Sequence, residues 1–408
     1  MFSVLKRKFR TLFILIDRFF KACCKRMFEA FCMTLPVKRN KIIFSSFCGK
    51  SYSCNQRAIY EYIEENYPGR FKYVWVFDYA SNPVIPDALK KKAKLVQHNS
   101  KACDIQKATS GVWCFNHRNT SYFHKKKSQF YIQTWHGNIG FKGIDKMACK
   151  TVDYSSPYIQ KCIVDSKMID IIPIGSEFGL ELMMKSFFYD GEYLKAGYPR
   201  NDILIKGDPS LKKSVLARYA LPEDTKILVY APTFRETFKL YDPLFSDESA
   251  AQALISALKK RFGGSWVIFV KYHPACIYEK QSEFDGKALF NVTDFGDIAD
   301  LLVACDAFVS DYSSSVFDFM LTRKPCWLFV PDLDTYISAD RNIVIDLDDV
   351  RLPMCKDVME LAACIEAFDS AAYGADVDEM LKTFGSYDKG GACKAMAEKI
   401  NDFVGGRA

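Results

Sequence analysis

Two rhythms of apolar residues run along the chain. Short runs rich in Val, Ile, Phe, Tyr and Trp read as strands: "KIIFSSF", "YVWVFD", "KLVQH", "GVWCFN" and "FYIQTWHG" between residues 41 and 137. Between them, "NQRAIYEYIEENY" and "DIQKAT" return apolar side chains at helical spacing. After residue 205 the alternation begins again. "KILVYAPTFR", "WVIFVKYHP", "LFNVTD", "AFVSDYSS" and "CWLFVPD" are the strands, and "ESAAQALISALKKRF", "DIADLLVACD" and "SSVFDFMLT" the helices. Strands alternating with helices build parallel sheets covered on both faces. Two such series, joined near "GYPRNDILIKGDPS", predict an α/β protein of two Rossmann-like halves facing across a cleft. The division expected is a helical segment over 1–36, a first half over 37–203 and a second over 204–408. A closing helix, "KGGACKAMAEKINDFV", can pack back on the first half.

The first thirty-five residues follow a different pattern. Phe2, Leu5, Phe9, Leu12, Ile16, Phe20, Cys23, Met27 and Phe31 fall in one arc of a helix, with Lys6, Arg7, Arg10, Arg18, Lys21, Lys25 and Arg26 opposite. The longest apolar run, Leu12 to Ile16, is far too short to span a bilayer. No small-residue cleavage site follows it, and Pro36 ends the helix. This is the pattern of a helix lying in a membrane interface. The alternative is an amphipathic helix packed on the protein's own body.

Charge sharpens that reading. The net +7 is confined to one end: residues 1–41 hold eleven Lys or Arg against Asp17 and Glu29, whereas the other 367 residues carry 45 basic and 47 acidic side chains. A nucleic-acid binder spreads its positive charge over a folded face. A basic segment at one end points to anionic lipid and away from nucleic acid. The fifteen cysteines are odd in number and contain no C-x-x-C pair, which argues against a disulfide framework and a zinc site. They read as small buried hydrophobes in a reducing compartment.

In open parallel sheets the ligand site lies outside the carboxyl ends of the strands. His136 follows "YIQTW", Arg235 follows "LVYAPTF", His273 follows "IFVKY", and Asp311 with Ser313, Ser314 and Ser315 follows "AFVS". Asp318 comes one turn into the next helix. A strand end is a rigid place from which a general base can project into a cleft. Gly137 then lets the chain turn and a substrate approach the backbone, and Lys142 and Lys146 would face an anionic partner. His136, an ordinary imidazole, is expected to be neutral near neutral pH. The serines open a helix whose free N–H groups and hydroxyls suit a phosphate, and Arg235, Lys271 and His273 add a cationic clamp for a pyrophosphate. "GKS" at Gly49 lacks the earlier glycine of a P-loop, and "DLD" at Asp332 and Asp346 is no metal motif. No metal or cofactor is required.

Seven strings in order, "FSSFCGKSYSCNQRAIYEYI", "QTWHGNIGFKGI", "AGYPRND", "VYAPTFRE", "VKYHP", "VSDYSSSVFDFMLTRKP" and "YDKGGACKAM", resemble the CDP-glycerol:poly(glycerophosphate) glycerophosphotransferase family over residues 41 to 400. The resemblance implies a GT-B fold and a metal-independent transfer of phosphoglycerol or phosphoribitol from CDP-glycerol or CDP-ribitol. The acceptor implied is a lipid-linked saccharide or polymer at the cytoplasmic face of a membrane. It makes His136 the base and has His273 hold the pyrophosphate, with Arg235, Ser313, Ser314 and Asp318 on the CDP moiety. Gly137, Lys142, Arg200, Asn201 and Asp202 are assigned to acceptor or phosphate contact. The chain departs from the family after its H-G pair, where Asn138, Ile139 and Gly140 precede Phe141 and Lys142, and at Tyr198, where leucine is common. The first departure falls on a loop expected to face the acceptor. A GT-B glycosyltransferase using a UDP-sugar is the alternative. A non-catalytic nucleotide-binding subunit is a third reading, against which both histidines speak.

Overall fold

The computed structural model describes residues 2–119, 123–148, 152–233, 244, 248–272, 287–339 and 343–406. Seven parallel strands form the first sheet: β1 (Lys38–Ser45), β2 (Lys72–Phe77), β3 (Ala93–Gln97), β4 (Ser110–Phe115), β5 (Phe130–Gln133), β6 (Ile171–Ile174) and β7 (Glu192–Lys195), in the order β3-β2-β1-β4-β5-β6-β7. Six more, β8 (Lys226–Ala231), β9 (Trp266–Val270), β10 (Leu289–Asn291), β11 (Ala307–Ser310), β12 (Cys326–Phe329) and β13 (Met354–Cys355), form the second in the order β10-β9-β8-β11-β12-β13. Two doubly wound sheets of this kind are the GT-B arrangement.

The strand runs are continuously apolar because helices cover both faces of each sheet. Ile42, Ile43 and Phe44 on β1 and Val112 to Phe115 on β4 are fully buried. Trp75 stacks between Phe44, at 5.2 Å, and Phe77, at 6.0 Å. Gly111 is required where β4 passes β1: a Cβ there would lie 2.3 Å from the Arg39 carbonyl oxygen. Strands β6, β7 and β13 break the apolar pattern. Pro173 removes a ladder donor inside β6, where only Ile171 pairs with β5 and all four residues pair with β7.

The closing helix, Ala392–Gly405, follows the second sheet in sequence and packs on the first. Met396, Ala397 and Ile400 join the core around Ile59, Tyr60 and Ile63, and Phe403 stacks on Phe130 at 5.2 Å.

The first helix, Phe2–Thr34, is docked on the body at one end only. Its last turns dock on the body: Cys32 is buried, Phe28 and Leu35 pack against the first core, and Glu29 accepts from His124 Nδ1 at 2.6 Å. Further back, Phe13, Ile16, Phe20, Met27 and Phe31 are exposed along one stripe. No helix among the described residues is long and apolar enough to cross a membrane.

Candidate active site

Strand order reverses between β1 and β4 in one sheet and between β8 and β11 in the other. Such switch points open crevices at the carboxyl ends of the strands. His136 lies one strand beyond the first. Trp135 turns the chain with a φ of 52°, held by its N–H on Gln133 Oε1 at 2.9 Å and by Asn55 Nδ2 on its carbonyl at 3.2 Å. The His136 ring stacks on Trp135 at 4.2 Å and tilts against Phe47 at 5.4 Å. Its Nδ1 lies 2.8 Å from the Asn116 carbonyl oxygen, which can only accept. The proton of the neutral ring therefore sits on Nδ1 and the lone pair on Nε2. Burial lowers the pKa to about 4, the Asn116 carbonyl opposing that shift and the Arg200 guanidinium adding to it. The ring is thus neutral because it is desolvated, not because its basicity is ordinary.

The residues after His136 reach the other half. A Cβ on Gly137 would stand 3.3 Å from Ser314 Oγ, so the backbone there meets the second half directly. Ile139 and Phe141 are buried in the second half's core, where Phe141 packs on Phe317 at 5.2 Å. Lys142 bridges Ile343, and its ammonium lies 5.2 Å from the Tyr336 ring centre. Lys146 lies similarly over Phe188, at 4.8 Å. The loop expected to face an acceptor is a strap between the halves, because its two apolar side chains find their core on the far side.

Arg200 closes the same seam. Its guanidinium donates to the His136 carbonyl at 2.8 Å and to the Asp318 carboxylate at 2.5 Å, and it contacts Cys54 Sγ at 3.5 Å. Asn201 donates to Asp388 at 3.2 Å. Both oxygens of Asp202 accept from the first N–H groups of the closing helix, Ala392 at 3.0 Å and Cys393 at 2.9 Å. Asp202 is a helix cap, turned from the cleft by that geometry. Asp388 had no local signal. It accepts from the Tyr198 N–H at 2.7 Å and from Asn138 at 3.4 Å, and burial raises its pKa to about 7. Asn138 in turn rests on Gly175 and Gly179, where a Cβ would come within 2.3 and 2.5 Å of its amide.

On the second sheet, Asp311 receives the Thr233 N–H at 2.9 Å and so ties the end of β11 to the end of β8. Ser313 and Ser315 share a 2.8 Å hydroxyl contact ahead of the short helix Ser315–Phe319. Asp318 faces Arg200. Lys271 donates to the Phe295 and Thr293 carbonyls at 2.5 and 3.3 Å, and burial lowers its pKa to about 8. Arg235 and His273 lie outside the described residues. A second cross-seam cluster was not anticipated: Arg57 binds Asp300 at 2.6 Å, and Asp297 accepts the Cys54 N–H at 2.8 Å. Among the described residues no group of three metal-ligating side chains comes together.

Comparison with known proteins places this geometry. The family model described as CDP-Glycerol:Poly(glycerophosphate) glycerophosphotransferase matches residues 27–402. The teichoic acid poly(glycerol phosphate) polymerase of Staphylococcus epidermidis is 28% identical over 375 residues, covering 90% of this chain and 51% of that protein. The protein of the same name from Bacillus subtilis is 28% identical over 351 residues, covering 83% and 45%. The chain therefore spans about half the length of these two relatives. A structure of the wall teichoic acid polymerase TagF superposes with a TM-score of 0.77 at 26% identity, covering 91% of each chain.

The buried Arg200–Asp318 pair sets a test of the seam. Arg200→Met strands the Asp318 carboxylate and should cost about 3–5 kcal/mol in urea unfolding, whereas Arg200→Met with Asp318→Leu should recover most of it. Additive losses would show that the two side chains do not depend on each other.

Proposed function

The chain belongs to the CDP-glycerol:poly(glycerophosphate) glycerophosphotransferase family, and from that premise we propose that it transfers phosphoglycerol from CDP-glycerol to a hydroxyl of a membrane-linked acceptor, releasing CMP. The carrying observation is His136, whose Nε2 lone pair is left available by the Nδ1 contact with Asn116, beside the Gly137–Ser314 approach of the two halves. In the step proposed, Nε2 takes the acceptor's hydroxyl proton as its oxygen attacks the β-phosphorus. The bond to the CMP oxygen breaks, and CMP leaves with that electron pair. Such a transfer asks mainly for positioning and charge neutralisation. Ser313, Ser314, Ser315 and Lys271 are offered for the donor's phosphates, with Arg235 and His273 from the adjoining segments. Asp318 would act through Arg200. A base lowered to about 4 is neutral but weak. The anionic donor entering beside it would raise its proton affinity when the acceptor is present.

The exposed stripe of Phe13, Ile16, Phe20 and Met27, with Arg18, Lys25 and Arg26 on the same helix, supports a peripheral position on the cytoplasmic face of the cell membrane. Because Phe28 and Cys32 are docked on the body, the stripe would be carried at a fixed place relative to the cleft.

Incubation with CDP-glycerol, CDP-ribitol and UDP-sugars, read as CMP or UDP release, tests the donor: CMP release from CDP-glycerol is expected, and UDP release alone would overturn the proposal. His136→Ala should lower kcat roughly 10²-fold or more with unchanged donor affinity. Since kcat/KM reports the free enzyme, its acid limb should fall near the His136 value of about 4 rather than near 6.5. A limb at the ordinary histidine value would assign the proton to another group. Phe13→Ser with Ile16→Ser and Phe20→Ser should abolish cosedimentation with anionic vesicles while CMP release to a soluble acceptor persists. Undiminished cosedimentation would remove the membrane assignment.

A further inference from the structure

The switch point of the first sheet carries chemistry that the proposed transfer step does not use. His117 follows β4, and its Nε2 lies 2.8 Å from Ser45 Oγ at the end of β1, across the strand reversal itself. Its Nδ1 faces the Arg118 carbonyl at 3.1 Å, so Nδ1 carries the proton and Ser45 donates to Nε2. His98 follows β3 and reaches the same place, its ring centre 6.2 Å from that of His117 and edge-on to it. Behind them stands Lys107, 93% buried at the end of the helix Lys101–Thr109. Its ammonium meets the Asn119 side-chain oxygen at 3.2 Å and the Phe115 ring at 6.0 Å. Among the described residues no carboxylate lies within ion-pair distance of it. An ammonium has three N–H donors, and a buried one without a counter-charge is costly.

Asp78, whose charge acts on His98, accepts from Gln97 at 3.2 Å and from Ser81 at 2.9 Å. Just beyond the end of β1 the chain turns through Phe47, Cys48 and Gly49, all with positive φ, at 46, 58 and 87°. Left-handed backbone at two non-glycine residues in a row is strained, and strain of that kind gathers at functional sites. Gly49 cannot be replaced in that turn, since a Cβ would lie 2.7 Å from the Asp78 nitrogen. The crevice adjoins the base: Asn116 holds His136 by its carbonyl and is followed at once by His117, and Phe47 lies against the His136 ring.

We propose that the crevice between the ends of β1 and β4 is a phosphate subsite for the acceptor, in which Lys107 and His98 contact the anion and His117, pinned by Ser45, forms its wall. This rests on the transfer reading above. A chain of glycerol phosphates has a phosphate a few bonds from its terminal hydroxyl, so a phosphate anchored here would present that hydroxyl to Nε2 of His136. The subsite also explains how the first half can hold an anionic acceptor although Arg200 is committed to Asp318 and to the His136 carbonyl.

The test is steady-state transfer to a soluble glycerol-phosphate acceptor, together with titration of the donor-free protein by glycerol 3-phosphate and by inorganic phosphate, followed through its histidine NMR signals. Lys107→Met should raise the acceptor KM about tenfold or more, the loss of one charge-assisted contact, with kcat and donor affinity unchanged. Lys107→Arg should recover part of it. His98→Ala, at a half-buried position, gives the same comparison without altering the buried helix. In the titrations both probes should shift the His98 and His117 signals of the native protein and not those of Lys107→Met. An unchanged acceptor KM in both variants would overturn the subsite and leave the transfer reading standing. Loss of transfer with every donor would overturn that reading, while the titration would still decide whether the crevice takes a phosphate.

Discussion

Arg200 sits on the seam between the two sheets, where a cation without partners would be expelled or would unfold the site. Three contacts hold it: the His136 carbonyl from the first half, the Asp318 carboxylate from the second, and the Cys54 sulfur. A guanidinium can reach a carbonyl and a carboxylate at once because its donors lie in a rigid planar fork; an ammonium on a flexible stem offers no such geometry. The position of His136 is therefore set by both halves together. Ile139 and Phe141, buried in the opposite core, anchor the same segment on its other side. Any motion that separated the sheets would have to uncover these apolar groups and part a buried ion pair.

Burial at the seam shifts three titratable groups, and not all in the same direction. Burial holds His136 down to about 4 and raises Asp388 to about 7 and Asp300 to about 6. A lowered histidine stabilises the folded state fully above its unfolded value near 6.5, and that contribution fades as pH falls through 4. A raised aspartate does the reverse: its contribution is complete below about 3.8 and fades as pH rises through the folded value. Asp388 is therefore set against His136 across the weakly acidic range. Asp388 also binds Tyr198 and Asn138, so its charge bears on the strap that follows His136.

The architecture was legible in the chain wherever strands are buried on both faces, because those strands read as unbroken apolar runs. It was illegible at β6, where Pro173 interrupts the run, and at β7 and β13, which are short or polar. His136 could be found from its place after a strand and before a glycine. The company it keeps could not. Ile139 and Phe141 look like loop residues until the second core is built around them. Asp202 looks like part of a polar motif until the closing helix, 190 residues later, settles on it. Asp388 is equally remote from Tyr198. The histidines of the first switch point were within reach of the same strand-end rule. His98 reads as the last residue of its strand, whereas β3 stops at Gln97 and leaves it at the crevice.

The two switch points carry related but unequal chemistry. Each is bridged by side chains from the paired strand ends, Ser45 with His117 in the first sheet and Thr233 with Asp311 in the second. Near each stands a lysine whose partners are neutral: an amide oxygen for Lys107, and two backbone carbonyls for Lys271. The arginines nearby, Arg200 and Arg57, are committed to carboxylates and hold the halves together. Among the described residues no carboxylate pairs with Lys107, whereas the charges of Asp297 and Asp294 act on Lys271. Neutral partners orient the ammonium and leave its charge to attract whatever enters the crevice. If both reactants are anions, as proposed above, positive charge is needed on both sides of the point where they meet, and it cannot be the charge that already holds the walls together.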